Sequence, residues 1–153
     1  MMAAEGVVEF AHADDLPALV SLLSALFTQE SDFAPDPAKQ LDALRLILDD
    51  PAIGQLFVLR VDGRVAGMAN ALITVSTAEG GPVVLLEDVI VDRELRGQGY
   101  GRMLVEQVCT WAAAEGMTRV TLLTDADNHA AHGFYAHLGF MPSDMRVLRR
   151  GLG

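Results

Sequence analysis

The sequence is short of most residues from which specialised chemistry or unusual architectures are built. One cysteine, Cys109, stands among 153 residues. That excludes an intramolecular disulfide and any multi-cysteine zinc site, and it fits a reducing, cytoplasmic compartment. One lysine, Lys39, is present, so no lysine-rich patch can form. Acidic residues outnumber basic ones 21 to 11, a formal charge of −10. A generic nucleic-acid binder needs the opposite balance. No apolar run approaches the ~18 residues of a membrane span; the longest tight one is Val83-Val84-Leu85-Leu86. The segment Met1 to Gly6 has neither a cationic region nor a long apolar stretch, so no targeting pattern is visible. Repeats, low-complexity tracts and linkers are also missing, which predicts a single domain over residues 1–153. The composition, 51% hydrophobic and 21% charged, is that of a globular chain long enough for one sizeable core.

Residues 7–11 alternate weakly and read as a strand. Asp14 or Asp15 can cap a helix in which Leu16, Leu19, Val20, Leu23, Leu26 and Phe27 recur at helical spacing. A polar loop over 28–36 follows. Asp36-Pro37 then starts a second helix through Leu41, Leu44 and Leu48, and Asp49-Asp50-Pro51 stops it. Asp62-Gly63 predicts a tight hairpin turn between a strand at 55–61 and a return strand from Arg64 to about Thr77. The nearly continuous apolar run from Val83 to Val91 reads as a central strand interrupted by Glu87-Asp88. A helix is expected over 102–115 with Gly116 ending it, then a strand from Arg119 to Thr124. Asp127 or Asn128 caps a short helix that Gly139 terminates. Phe140-Met141 and Asp144 to Arg149 read as late strands. The order β-α-α-β-β-β-α-β-α-β-β indicates a mixed α+β fold.

The informative segment is Arg96-Gly97-Gln98-Gly99-Tyr100-Gly101-Arg102, between an apolar strand and an amphipathic helix. Glycines let the backbone approach a ligand closely. The N–H groups at a helix start attract an anion, typically phosphate, and Arg96 and Arg102 add fixed positive charge. The dinucleotide fingerprint fails, because Arg102 stands where its third glycine belongs. A phosphate loop of the Gly-Lys-Ser/Thr kind fails for want of a lysine. A plain strand-to-helix turn remains the simplest alternative.

The surroundings favour a ligand. Arg96, Gly99 and Gly101 match Arg-x-x-Gly-x-Gly, and the segment resembles the acetyl-CoA signature of the GNAT superfamily of N-acetyltransferases. Leu86 to Asp92 is similar to that family's preceding strand. Asn128, then Phe134-Tyr135, then Leu138-Gly139-Phe140 is similar to its later stretch. The Asp62-Gly63 hairpin with Gly67 also fits. The resemblance runs along essentially the whole chain and is most specific from Leu86 to Phe140.

It implies an acyl-CoA acyltransferase fold: a mostly antiparallel sheet flanked by helices, with two parallel strands, here 83–91 and 119–124, splayed into a cleft. It implies acetyl-CoA as cosubstrate, its pyrophosphate on the amides of Gly97, Gln98, Gly99, Tyr100, Gly101 and Arg102 beside Arg96. The pantetheine arm would pair with Val89, Ile90 and Val91, and Asn128 would bond that arm besides capping its helix. The reaction implied is direct transfer to an amine. An alkylamine of pKa ~10.4 is neutral in only about one molecule in 2,500 at pH 7, so a base matters. Glu87 is the candidate, because it interrupts an apolar strand just before the cofactor-pairing residues. Asp88 would point to the opposite face of a regular strand. A main-chain N–H near Val89 or Ile90 would hold the developing oxyanion, and Tyr135 would protonate the leaving thiolate.

Phe27, Glu30 and Phe33, with Asp32 beside them, lie where this family builds acceptor recognition. An aromatic with carboxylates suits a cationic small-molecule amine. Three histidines, His129, His132 and His137, lack a clearly placed further ligand, so no metal is expected, and Cys109 reads as packing. The alternative reading is a non-catalytic acyl-CoA-binding or sensor module on the same fold. Neither nucleic acid nor membrane is an expected partner, and the resemblance allows a homodimer.

Overall fold

The computed structural model describes residues 5–29 and 35–153. The chain divides into two compact units, Met1–Leu123 and Thr124–Gly153.

The first unit is a five-stranded sheet in the order β1-β2-β3-β4-β5. Its strands are β1 (Gly6–Phe10), β2 (Gly54–Val61), β3 (Arg64–Ser76), β4 (Gly81–Val91) and β5 (Val120–Leu122). The first four are antiparallel neighbours and β5 runs parallel to β4. Between β1 and β2 lie α1 (Leu16–Gln29) and α2 (Pro37–Asp49), and between β4 and β5 lies α3 (Tyr100–Ala114).

Local chemistry accounts for the boundaries. Asp36 accepts the Lys39 N–H at 3.3 Å and Pro37 opens α2. The hairpin turn has Asp62 and Gly63 both at positive φ, 53° and 75°, the geometry that matches the twist of the flanking strands. Gly116 ends α3 in the left-handed region. The Met117 N–H returns to Ala112 O at 2.9 Å and the Gly116 N–H to Ala113 O at 3.0 Å, which satisfies carbonyls the helix leaves open.

The sheet is covered on both faces. Leu56 and Val58 of β2, with Met68 and Ile90, pack against Leu16, Leu19 and Leu23 of α1 and Leu44 and Ile47 of α2. On the other face Phe57 meets Trp111 of α3 edge-on, centroids 5.6 Å apart. Consecutive β2 residues alternate between the two cores, which is why Leu56 to Leu59 are all apolar. At the edge of the first core Arg60 forks onto Asp15, Nη1 to Oδ1 at 2.9 Å and Nη2 to Oδ2 at 2.7 Å, and its Nε meets Glu9. Asp15 also accepts the His12 N–H at 2.8 Å.

The second unit contains α4 (His129–His137). The late strands expected at 140–141 and 144–149 are absent: residues 140–153 form no strand. Apolar residues do not make a strand without a ladder partner, and α4 is the only regular element in this unit. Moreover, the Phe140 N–H is committed to Tyr135 O at 3.0 Å in the cap of α4.

The Arg60 guanidinium holds the Asp15 carboxyl below its ordinary value of 3.8, outweighing the opposing effect of burial. A lowered acid contributes stability above its unfolded pKa and loses it as pH falls. Asp15→Asn is therefore expected to cost about 2 kcal/mol at pH 7 and progressively less below the ordinary carboxylate range. Urea denaturation at the two pH values checks this, and an equal cost at both would contradict it.

Candidate active site

The glycine turn is built stepwise from the end of β4. Asp92 accepts the Glu94 N–H at 3.2 Å and starts a single 3-10 turn, Arg93–Leu95. Arg96 is extended, and its Nε donates to Val91 O at 3.3 Å. Gly97 and Gly99 follow at φ 79° and 87°, a region that costs an L side chain roughly 1–2 kcal/mol. A Cβ at either position would meet nothing within 4 Å. The glycines are thus required by backbone conformation, and the space beside them is open. Gly99 is the N-cap of α3 and brings no side-chain cap. No side chain of the N-cap residue takes the first N–H groups of the helix, and the positive end of its dipole lies there, a place that favours an anionic ligand. This fits a diphosphate. The Tyr100 ring is buried at 4% exposure, against Gly6, where a Cβ would stand 2.6 Å from Tyr100 Cε1. Arg102 lies along the helix surface, its Nε donating to Glu106 at 3.0 Å.

Next to the turn, β5 accompanies β4 only from Val84 to Leu86, pairing with Val120 to Leu122. The residues Glu87 to Val91 run on without it, as the expected parting of the parallel strands requires. On the β3 side Gly67 faces Val91, and a Cβ there would stand 2.7 Å from Ile90 O, so glycine keeps the two strands in close register.

The expectation of a regular β4 fails at its centre. Asn70 pairs with Glu87 but Met68 pairs with Ile90, so Ala69 faces two residues, Asp88 and Val89. Asp88 is the extra residue of a bulge, at φ 54°. A bulge breaks the alternation of faces, and Asp88 reaches the partner of Glu87 itself: Asn70 Nδ2 donates to Asp88 Oδ2 at 3.3 Å. Glu87 and Asp88 are both partly buried. Burial pushes the Asp88 carboxyl above its ordinary range, while the Asn70 bond pulls it back less strongly. The sequence placed Asp88 on the face opposite Glu87, and the bulge corrects that, since an aspartate gives no local signal for a mid-strand left-handed turn.

In the second unit Asn128 caps α4, accepting the Ala131 N–H at 3.1 Å. Tyr135 sits in the last turn, its carbonyl taken by the N–H groups of Leu138 and Phe140. Its ring lies edge-on to Phe134 and Phe140, centroids 5.0 and 5.7 Å away. Burial raises the Tyr135 hydroxyl above its ordinary value, so it stays protonated at neutral pH. Gly139 ends the helix at φ 91°.

Of the acceptor candidates, Phe27 on α1 packs against the first core; Glu30 and Phe33 lie outside the described residues. Among the described residues no group of His, Cys, Asp and Glu could hold a metal ion; His132 Nε2 is 2.8 Å from Asp125 O. Burial first, and the Glu106 charge second, raise the Cys109 thiol, which makes it a poor nucleophile. Among the described residues no helix is long and apolar enough to cross a membrane.

A sequence profile described as the acetyltransferase (GNAT) family matches residues 16–140. The chain belongs to that family. It is an acetyl-CoA-dependent N-acetyltransferase. It is 28% identical over 140 residues to the aminoglycoside N(6')-acetyltransferase type 1 of Serratia marcescens, covering 90% of this chain and 92% of the relative. It is 32% identical over 96 residues to the glucosamine 6-phosphate N-acetyltransferase of Trypanosoma brucei brucei, covering 62% of this chain and 63% of that one. The fold is also that of the aminoglycoside N-acetyltransferase AAC(6')-Iy crystallised with CoA, with a TM-score of 0.83 at 21% identity, covering 98% and 97% of the two chains.

Two outcomes follow from this geometry. Gly97→Ala and Gly99→Ala should each weaken CoA binding by about tenfold or more, since each adds ~1–2 kcal/mol of backbone strain and a methyl group in the cradle; calorimetry with CoA measures it, and an unchanged Kd would contradict the cradle. For Asp88 the linkage sign is reversed from that of Asp15. A raised acid opposes folding above its folded pKa and has no effect below its unfolded one. Asp88→Asn is thus expected to raise Tm by about 2–4 °C at pH 7, with the gain disappearing in acid. A thermal melt at both pH values reads this directly.

Proposed function

We propose that the enzyme moves the acetyl group of acetyl-CoA directly to an amine of a small-molecule acceptor, and that residues 1–153 work as one acetyltransferase domain. The observation that carries the proposal is the glycine turn at Arg96–Arg102, opening onto a helix start without a side-chain cap beside the end of β4 that β5 does not accompany. The family match spans both compact units, which supports reading them as one catalytic domain. The names of the Serratia and trypanosome relatives support an amine-bearing small acceptor.

In this reading the amides from Gly97 to Arg102 hold the cosubstrate's pyrophosphate, with Arg96 and Arg102 beside it. The main chain from Val89 to Val91 pairs with its pantetheine arm, and the free NH₂ of Asn128 bonds the same arm. Pairing of this kind uses main-chain groups and leaves the side chains free for packing. Glu87 draws a proton from the acceptor amine, directly or through water. A main-chain N–H near Val89 or Ile90 stabilises negative charge on the acyl oxygen. The Tyr135 hydroxyl, raised by burial, gives a proton to the departing thiolate. Phe27, Glu30 and Phe33 contribute to acceptor recognition.

Thiol release from acetyl-CoA across kanamycin, glucosamine 6-phosphate, spermidine and free amino acids tests the reading. Tyr135→Phe should lower kcat by about 10²–10⁴ on any amine that turns over, the usual size of a lost general acid, with little change in CoA affinity. Tight CoA binding without turnover of any amine would favour a sensor module instead.

A further inference from the structure

We propose that Asn70 and Asp88 form the seat for the acceptor's ammonium group, with Asp88 the carboxylate that takes its first proton. The proposal rests on the amine-acetyltransferase reading above and adds the residues that recognise the amine.

Hydrogen-bond accounting at the β4 bulge supports it. Asn70 on β3 is 5% exposed. One of its amide hydrogens goes to Asp88 Oδ2 at 3.3 Å, and its Oδ1 is buried with no partner. A buried carbonyl oxygen lacking a donor is costly and uncommon. Among the described residues no arginine, lysine or histidine forms an ion pair with Asp88. The pair therefore presents an unpartnered carbonyl oxygen beside a carboxylate. A hydroxyl would supply one donor and no charge. An alkylammonium brings three N–H donors and a positive charge, so it can reach both groups and match the carboxylate in sign.

Conformation points the same way. Two non-glycine residues in the described chain have positive φ. Asp62 is explained by its hairpin turn. Asp88 lies within a strand, where strain of this kind marks functional positions. It also immediately precedes Val89, the first residue of the segment proposed to hold the pantetheine arm. An amine seated at Asp88 would thus be delivered beside the thioester. Burial raises the Asp88 carboxyl, which makes it a stronger proton acceptor, and an arriving cation favours its charged form.

The proton count leaves a role for each group. An ammonium nitrogen that becomes an amide loses two protons. Asp88 takes one before attack, which frees the nitrogen lone pair to form the bond to the acyl carbon. Glu87 takes the second after attack. The carbon–sulfur bond breaks, its electron pair leaves on the CoA sulfur, and Tyr135 protonates that sulfur.

The test compares wild type with Asp88→Asn, Asp88→Glu and Asn70→Leu in acetylation of kanamycin, glucosamine 6-phosphate and spermidine, and of hydroxylamine. Hydroxylamine is a small nucleophile largely neutral at pH 7, so it arrives without a proton to lose before attack. Asp88→Asn keeps the Asn70 bond and tolerates the left-handed backbone. It is expected to lower kcat/KM for a basic amine by about 100-fold or more, but for hydroxylamine by under ~5-fold. Asn70→Leu should raise the basic amine's KM by about tenfold, and Asp88→Glu should recover part of the rate, with the KM for acetyl-CoA steady within about twofold throughout. Wild-type turnover with Asp88→Asn losses that are small, or equal for both nucleophiles, would overturn this inference and leave the amine-acetyltransferase reading standing. Failure of wild type on every amine, with CoA bound, would overturn that reading and this inference together.

Discussion

Where β5 stops pairing decides what this enzyme can do. A strand inside a sheet spends its N–H and C=O groups on its neighbours, and sheltered groups without partners are costly. Over Val84 to Leu86 the parallel ladder with β5 meets that demand. Beyond Leu86 the ladder with β5 ends, while β3 still accompanies β4 as far as Val91. In the proposed reading an extended, amide-bearing ligand continues the sheet on the β5 side. The 3-10 turn at 93–95 and the left-handed glycines that start α3 follow directly on that end of β4.

The electrostatics must be local. At a formal charge of −10 the protein as a whole repels a polyanionic cosubstrate, and at physiological ionic strength charges beyond about 8 Å are largely screened. Attraction has to come from groups in contact: helix N–H donors, the α3 dipole and the two flanking arginines. Both arginines already bond within the protein, Arg96 to Val91 O and Arg102 to Glu106. The main-chain amides require no charge, and the positive φ of Gly97 and Gly99 shapes the turn that carries them.

What the sequence made legible was whatever a single residue's chemistry dictates. Gly97 and Gly99 could be read as a ligand turn because positive φ is cheap only for glycine. Asp36-Pro37, Asn128, Gly116 and Gly139 marked helix ends through their own hydrogen bonds or backbone freedom. Features that depend on a partner were hidden. The late strands at 140–149 carry apolar residues but no ladder, and Phe140 serves the α4 cap instead. The bulge at Asp88 depends on how β3 aligns with β4, which no local pattern encodes. Of the acceptor residues expected from the sequence, Phe27 alone lies among the described ones, and it packs against the core.

The bulge matters because it changes which carboxylate meets Asn70. In a regular strand the partner of Asn70 would be Glu87 alone, with Asp88 on the other face. One inserted residue gives Asn70 a second neighbour and leaves two carboxylates at adjacent positions, one in register and one in the left-handed turn. Burial disfavours the charged form of Asp88 and raises its carboxyl, and the Asn70 hydrogen bond offsets this only in part. In the proposed reading an incoming ammonium favours the charged form of Asp88. On this argument the left-handed residue in β4 and the proposed affinity for a cationic acceptor have a common origin: a bulge that sets a partly buried carboxylate against Asn70.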